Sequence, residues 1–181
     1  STPYTETDPT APPNTYGESK LAGEKAVLEN CPNSLIIRAS GLFGTAGCSG
    51  KGGNFIETML RLARDRHAIQ VVRDQVFSPT STGDLARKIV QLIQTEHTGI
   101  FHVTNQGSCS WYELAREALR LAGLSANLIA VNSAQYPQIA RRPRYSVLAN
   151  HRLRLLDIDD MRPWQKALAD YMKAQGHLKR R

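Results

Sequence analysis

The sequence of 181 residues has only three cysteines, and these form neither a metal-binding nor a disulfide pattern. Cys31, Cys48 and Cys109 are far apart, with no Cys-x-x-Cys and no paired histidines near them. Such spacing argues against structural zinc and favours a reducing compartment. The five histidines show neither His-x-His nor His-x-x-x-His spacing, so we expect no metal site and a cytoplasmic protein.

A long apolar run is also missing. A membrane-spanning helix needs about 20 apolar residues, and no run approaches that length in a chain that is 41% hydrophobic and 22% charged. No charged and then apolar leader opens the chain, and no initiator Met is present. These absences predict a soluble protein that is not exported, and they suggest that the chain is a piece of a longer one.

Positive charge is what the sequence has in excess. There are 23 Lys and Arg against 16 Asp and Glu, which gives a formal net charge of +7. Several of these charges lie in RRPR at 141–144 and in HLKRR at the C-terminus. A polyanionic partner and a solvated basic surface both remain open. No nucleic-acid-binding motif occurs, and Trp111 and Tyr112 are expected in the core, so we expect no nucleic-acid partner.

Helical and strand patterns alternate along the chain. Helices are predicted over 15–29, 54–67, 83–94, 110–123 and 163–176, and strands over 34–40, 69–72, 99–105 and 128–132. Asn14 or Thr15 can cap the first helix, whose apolar stripe consists of Leu21, Ala22, Ala26, Val27 and Leu28. SLIIRAS (34–40) is a continuous apolar run, typical of a strand buried on both faces of a parallel sheet. Ser110 and Glu113 form a capping box, and His102 is expected to be a satisfied core side chain. The alternation predicts an α/β fold.

Tyr16 and Lys20 are four residues apart in the first predicted helix and therefore share one face. An ammonium group near a phenol favours the phenolate, so such a tyrosine can exchange a proton with a substrate. It can protonate a carbonyl oxygen while hydride reaches the carbon, and the lysine can donate to cofactor hydroxyls. Because the spacing also occurs by chance, a solvated helix face remains an alternative.

A series of motifs surrounds this pair and covers nearly the whole chain. In order, the motifs are YTETDPTAPPNTYGESKLAGEKAV, LIIRASGLFG, NFIETML, VVRDQVFSPTSTGDLA, GIFHVTN and RRPRYSVL. The series resembles the last three fifths of the dTDP-4-dehydrorhamnose reductase family, within the extended short-chain dehydrogenase/reductase superfamily. The resemblance implies the C-terminal part of a Rossmann-like, doubly wound parallel sheet plus a small α/β substrate-binding domain. Residues 1–40 and 81–106 would belong to the first, and residues 41–80 and 107–181 to the second.

The resemblance implies reduction of the C4 keto group of dTDP-4-dehydro-L-rhamnose by NADPH or NADH, giving dTDP-L-rhamnose for cell-surface polysaccharide. Tyr16 would donate the proton, while Lys20 would tune it and hold the nicotinamide ribose. Ser40 would lie near the nicotinamide, which makes these three the expected cofactor-binding residues. The implied partner is a dTDP-sugar, with no nucleic acid, no membrane and no required metal, and a homodimer stays open.

Five residues are expected to bind the sugar nucleotide: Asn54, Gln75, Ser78, Thr80 and Arg142. Arg142, in the RRPR segment, is assigned to the diphosphate because a forked guanidinium matches phosphate oxygens. A solvated arginine in a loop is the alternative.

Three positions depart from the pattern of the family. Gly41 stands where a tryptophan commonly follows Arg-x-Ser, and Phe77 stands where a glycine usually precedes Ser-Pro-Thr. Ala149 follows Leu148 where the family often has Leu-Asp. We therefore expect the packing of the sugar, and the selectivity for it, to differ.

The stretch GTAGCSG (44–50) matches Gly-x-x-Gly-x-x-Gly between a predicted strand and a predicted helix. It could be a dinucleotide-binding fingerprint or a flexible loop beside the substrate cleft. Three extra residues before the helix favour the loop, and so does its position after the Tyr-Lys helix. The resemblance places the fingerprint upstream of Ser1, together with the Ser or Thr that partners the tyrosine. We therefore expect the isolated chain to bind NADPH poorly and to be inactive.

Two other functions remain open from the sequence. One is a different nucleotide-sugar epimerase or reductase of the same superfamily. The other is a non-catalytic regulatory binding subunit, since some subunits with this fold also carry the Tyr-x-x-x-Lys pair.

Overall fold

The computed structural model describes residues 2–46, 53–65, 68–135 and 140–178. Within these ranges the helices are α1 (Thr15–Asn30), α2 (Phe55–Arg64), α3 (Thr82–Ile93), α4 (Trp111–Ala122), α5 (His151–Leu155) and α6 (Trp164–Ala174). The strands are β1 (Leu35–Arg38), β2 (Leu42–Phe43), β3 (Ile69–Val72), β4 (Val76–Phe77), β5 (Thr80–Ser81), β6 (Gly99–His102), β7 (Cys109–Ser110), β8 (Leu128–Val131) and β9 (Tyr145–Ser146). No helix in the described ranges has both the length and the apolar character needed to span a membrane.

The strands pair mainly in parallel. β1 pairs with β6, β2 with β5, and β3 with β8, each in parallel register. β4 is the centre of a three-stranded group, parallel to β9 and antiparallel to β7. The predicted α/β class with parallel pairing is confirmed, because helices connect the parallel strands.

Helix α1 and strand β1 are less covered than their sequences predict. The side chain of Asn14 caps α1, but none of the residues of this helix is buried. Val27 and Leu28, which belong to the predicted apolar stripe, are exposed. β1 is half-buried at all four positions, so the prediction of a strand buried on both faces is wrong. Leu35 and Ile37 of β1 pack against the smaller of two core clusters, which covers these side chains only in part.

Most buried apolar side chains form one large cluster between α2, α4, α6 and β3. At its centre, Ile56, Leu60, Leu114, Leu168 and Met172 are each at most 2% exposed. Burial of such side chains is the main source of folding free energy. This cluster holds the elements on which one wall of the site is built.

A smaller cluster joins α3 and β6 to the segment around α5. Leu92 and Phe101 contribute from α3 and β6, and Leu153 and Met161 contribute from the later part of the chain. The predicted domain division assigned 81–106 and 107–181 to different domains. That division remains a prediction. Leu153 and Met161 from the second range pack on Leu92 and Phe101 from the first.

Helix α4 follows its local sequence signals closely. Ser110 Oγ accepts a hydrogen bond from the Glu113 backbone N–H, and Glu113 Oε2 accepts one from the Ser110 backbone N–H at 2.7 Å. Hydrogen bonds from the Ser110 backbone and side chain lower the pKa of Glu113. The helix ends before Gly123, as predicted.

Candidate active site

Tyr16 and Lys20 lie in the first turns of α1 with their side chains next to each other. Lys20 Nζ is 5.4 Å from the centroid of the Tyr16 ring, within the range at which a cation and an aromatic ring attract each other. Tyr16 is 72% exposed, so its hydroxyl is accessible to a ligand. The structure therefore brings the phenol and the ammonium group together on an open surface.

Tyr16 borders a cleft of about 380 Å³. Four of the predicted site residues line this cleft: Tyr16, Ser40, Gln75 and Arg142. Much of the remaining wall is apolar and includes Phe77 and Trp111. A few polar groups in an otherwise apolar concavity are typical of small-molecule sites. Trp111, expected in the core, is half-buried and faces the cleft.

Lys20 lines a neighbouring cavity of about 310 Å³. In its wall, Arg38 Nη2 lies 2.6 Å from Glu24 Oε2, and Arg38 Nε donates to the same carboxylate. This bidentate ion pair connects α1 to the end of β1. It therefore fixes the helix that carries Tyr16 relative to Ser40, which follows β1.

Asn14 holds two parts of the site in place. Its Oδ1 accepts a hydrogen bond from the Gly17 backbone N–H at 2.9 Å, which begins the helix that carries Tyr16. Its Nδ2 donates to the Arg141 carbonyl at 2.8 Å, which positions the segment that carries Arg142. The cap was predictable from the sequence. The second bond was not, because its partner lies 127 residues away.

A close contact explains why glycine follows Tyr16. A β-carbon at Gly17 would lie 2.8 Å from the β-carbon of Pro12, closer than carbon atoms approach each other. The proline segment therefore packs directly on the start of α1. It also lines the cavity beside Lys20.

Ser40 and Gln75 reach the cleft from within the fold, and Arg142 reaches it from the surface. Ser40 Oγ donates a hydrogen bond to the Ser146 carbonyl at 3.2 Å. Gln75 is only 5% exposed, whereas Arg142 is exposed. The cleft thus has an inner amide group and an outer guanidinium group.

Three predicted substrate-binding residues lie outside the cleft. Asn54 caps α2, and its Nδ2 donates to the Tyr171 hydroxyl at 3.0 Å. Ser78 and Thr80 are fully buried. Ser78 Oγ accepts from the Leu148 backbone N–H at 3.3 Å, and Thr80 Oγ1 donates to the Ser78 carbonyl at 3.2 Å. The geometry gives these three side chains structural partners, because each satisfies a group of the fold.

His102 is buried beside the cavity that Lys20 lines. Its Nδ1 lies 3.1 Å from the Tyr4 carbonyl, while its Nε2 has no hydrogen-bond partner among the described residues. The expectation of a satisfied core histidine therefore holds for one ring nitrogen only. Burial lowers the pKa of His102 more than the nearby Glu6 carboxylate raises it. The lowered pKa favours the neutral form of the buried ring.

The glycine-rich stretch 44–50 falls mostly outside the described residues. Residue 44 follows the end of β2, residues 45–46 form a turn, and residues 47–52 are not described. The alternatives of a dinucleotide fingerprint and a cleft loop both fall on that part.

Comparison with known proteins gives the family. The profile of the family described as RmlD substrate binding domain matches residues 1–176. The spore coat polysaccharide biosynthesis protein SpsK of Bacillus subtilis is 39% identical over 96% of this chain and 59% of its own length. The dTDP-4-dehydrorhamnose reductase of Clostridium acetobutylicum has a crystal structure with a TM-score of 0.90 and 38% identity, over 97% of this chain and 61% of that one.

A second solved structure agrees. The dTDP-4-dehydrorhamnose reductase of Bacillus anthracis, in complex with NADP, has a TM-score of 0.88 and 38% identity, over 95% of this chain and 59% of that one. The chain thus spans about three fifths of the length of these relatives. The resemblance inferred from the motifs is confirmed, and the chain belongs to the RmlD substrate-binding domain family.

Proposed function

We propose that the chain is the sugar-nucleotide-binding part of a dTDP-4-dehydrorhamnose reductase. The reaction reduces the C4 keto group of dTDP-4-dehydro-L-rhamnose to the alcohol of dTDP-L-rhamnose, with NADPH or NADH as reductant. The observation that carries the proposal is the position of Tyr16, adjacent to Lys20 and open to a cleft that also contains Arg142. Two solved relatives bear the name of this reductase, and one of them binds NADP.

Tyr16 is the proposed proton donor. A bound nicotinamide cofactor supplies the hydride that reaches C4 of the sugar. The Tyr16 hydroxyl donates its proton to the C4 oxygen, and the ammonium group of Lys20 stabilises the phenolate that remains. Proton transfer by a positioned side chain contributes about 10²- to 10⁴-fold to the rate of such reactions.

Three side chains fit the nicotinamide end of the cofactor. Tyr16, Lys20 and Ser40 offer two hydroxyls and an ammonium group around adjoining cavities. Tyr16 and Lys20 are suitable donors for ribose hydroxyls, and Ser40 Oγ, whose proton goes to the Ser146 carbonyl, can accept a hydrogen bond from the carboxamide of the nicotinamide. The proposal assigns residues 1–40 and 81–106 to the cofactor-binding domain, and the remaining ranges to the sugar nucleotide.

Arg142 and Gln75 are the proposed contacts to the sugar nucleotide. Arg142 is exposed at the edge of the cleft, where its planar fork can bind two diphosphate oxygens. Gln75 lines the cleft from the buried side, where its amide can hydrogen-bond a sugar hydroxyl. Asn54, Ser78 and Thr80 contribute to the proposal only by holding the backbone around the cleft.

We also propose a cytoplasmic location. The exposed thiol of Cys31 and the buried thiol of Cys109 are both free, which suits a reducing compartment. The proposed partners are the dTDP-sugar and the cofactor, and a homodimer stays a prediction of the resemblance.

Activity is best tested in a hybrid protein, because the chain spans about three fifths of its relatives. In this hybrid, the chain replaces the corresponding part of the Bacillus anthracis reductase, whose remaining part is kept. With dTDP-4-dehydrorhamnose and NADPH, the expected product is dTDP-L-rhamnose, identified by NMR. A different product from the same sugar would favour another reductase or epimerase. Binding of dTDP-L-rhamnose without turnover would favour a regulatory subunit, and absence of binding would contradict the proposal.

A further inference from the structure

Gly41 and Phe77 fit each other beside the cleft. Gly41 has a φ of +56°, in the left-handed region that favours glycine. A β-carbon built on Gly41 would lie 2.3 Å from Cδ2 and 2.4 Å from Cε2 of Phe77. Carbon atoms in contact are normally about 3.5–4.0 Å apart. The Phe77 ring therefore occupies the space that any side chain at position 41 would need.

Phe77 in turn supports Trp111. The two ring centroids are 4.1 Å apart, and the ring planes are inclined by 34°. Phe55 also contacts Trp111, and the centroids of these two rings are 4.7 Å apart. Phe77 is only 4% exposed, whereas Trp111 is half-buried and lines the cleft. Trp111 thus packs on two aromatic rings while part of its own ring stays exposed at the cleft.

The proposed function sets the orientation of a sugar in this cleft. Its C4 oxygen must meet Tyr16, and its C1, which carries the diphosphate, must point towards Arg142. C4 and C1 lie at opposite ends of a hexose ring, so the ring has to span the cleft between these two residues. Its remaining edge and one face then lie against the apolar wall, to which Val76, Phe77 and Trp111 contribute.

We propose that Trp111 is a specificity-determining residue for a 6-deoxyhexose, and that Gly41 and Phe77 position its ring. The inference rests on the proposed function and deepens it. The methyl group at C6 and the C–H face of the sugar pack on the indole, which is favourable apolar contact. A 6-hydroxyl in the same place would lose water without gaining a hydrogen-bond partner from ring carbons.

The test compares three probes by calorimetry on the 181-residue chain: dTDP, dTDP-L-rhamnose and dTDP-L-mannose, which differs from dTDP-L-rhamnose only by its 6-hydroxyl. We expect dTDP-L-rhamnose to bind about tenfold more tightly than dTDP-L-mannose, a ratio typical of discrimination by an apolar pocket. Trp111→Leu should abolish this ratio while leaving the affinity for dTDP unchanged. Phe77→Leu should reduce the ratio with the same unchanged affinity for dTDP, which a general loss of structure would not produce.

Two further variants keep the test decisive. Tyr112→Leu changes a half-buried aromatic residue that neighbours Trp111 in α4 but does not line the cleft, and it should leave all three affinities unchanged. If Trp111→Leu fails to fold, Trp111→Phe keeps a ring in the stack and should lower the sugar ratio several-fold. An unchanged ratio in the Trp111 variants, with dTDP still bound, would overturn this inference and leave the proposed function intact. A wild-type chain that binds none of the three probes would contradict both.

Discussion

The phenol of Tyr171 donates a hydrogen bond to the carboxylate of Glu57, and this bond fastens α6 to the first turn of α2. His177 Nε2 lies 2.9 Å from Oε2 of the same carboxylate, and Asn54 Nδ2 donates to the phenol oxygen at 3.0 Å. Burial raises the pKa of Tyr171, and its hydrogen bond to Glu57 raises it further. The four polar groups form one connected network beside the larger core cluster.

Removal of the Tyr171 hydroxyl should destabilise the fold. In Tyr171→Phe, Glu57 and Asn54 each lose a hydrogen-bond partner in a partly buried place, which costs about 1–2 kcal/mol in the free energy of unfolding. Urea denaturation measures this change. Tyr16→Phe removes the same hydroxyl from a 72% exposed ring and should change the free energy by less than about 0.5 kcal/mol. Equal losses in the two variants would contradict the role of the network.

Asp84 should make the free energy of unfolding depend on pH in the acid range. Its carboxylate accepts hydrogen bonds from Asn105 Nδ2 at 2.8 Å and Arg162 Nε at 2.9 Å. Burial raises the pKa of Asp84, but these hydrogen bonds and the charges of Arg162 and Arg87 outweigh it. The pKa therefore lies below its ordinary value of 3.8. The stability contributed by the carboxylate is present above pH 3.8 and is lost as the pH falls through the lower native pKa.

Asp84→Asn should accordingly lower the free energy of unfolding at pH 7 by about 1–3 kcal/mol. Urea denaturation from pH 7 downwards should show wild type and variant converging below pH 3.8. Asp170 also pairs with Arg162 but is exposed, so Asp170→Asn should cost less than about 1 kcal/mol. A constant difference between wild type and Asp84→Asn down to the lowest pH would be the contrary result.

Two glycines should respond to alanine in opposite directions. Gly23 lies inside α1, and a β-carbon there meets no atom within 4 Å. Since alanine is the better helix former, Gly23→Ala should raise the free energy of unfolding by about 0.5–1 kcal/mol. Gly41→Ala should lower it by about 1–3 kcal/mol, because it combines an unfavourable φ with a clash against Phe77. Thermal unfolding of both variants tests this. A stabilised Gly41→Ala would show that Phe77 does not fill the space beside Gly41.

The isolated chain should bind NADPH only weakly. The residues that we assign to the cofactor are all assigned to its nicotinamide end. Among the described residues, no glycine motif that could bind the cofactor's diphosphate accompanies them. We expect calorimetry on the chain to give an affinity weaker than micromolar, and the hybrid protein with the Bacillus anthracis part to bind far more tightly. A micromolar affinity for the chain alone would show that it holds the diphosphate itself.

Local sequence signals predicted the longer elements well. The helix caps at Asn14 and Ser110 and the end of α4 at Gly123 depend on neighbouring residues, so they could be read from the sequence. Strands such as β2 and β5 could not, because two residues show no periodicity. The apolar stripe of α1 predicts a buried face that the structure does not show, since such a stripe indicates which face can be buried and not whether anything covers it.

The site shows the same limit. The spacing of Tyr16 and Lys20 is local and was predictable. Ser78 and Thr80 belong to a motif that resembles a binding segment, but in the fold their hydroxyls satisfy backbone groups. The cleft wall at Trp111 depends on contacts with Phe55 and Phe77, which are distant in sequence.

Proton donation by Tyr16 is tested most directly by Tyr16→Phe in the hybrid protein, assayed with dTDP-4-dehydrorhamnose and NADPH. We expect kcat to fall by about 10²- to 10⁴-fold, while the affinity for dTDP-L-rhamnose and the thermal stability stay unchanged. A kcat within about threefold of the parent, at unchanged sugar-nucleotide affinity, would mean that another group delivers the proton.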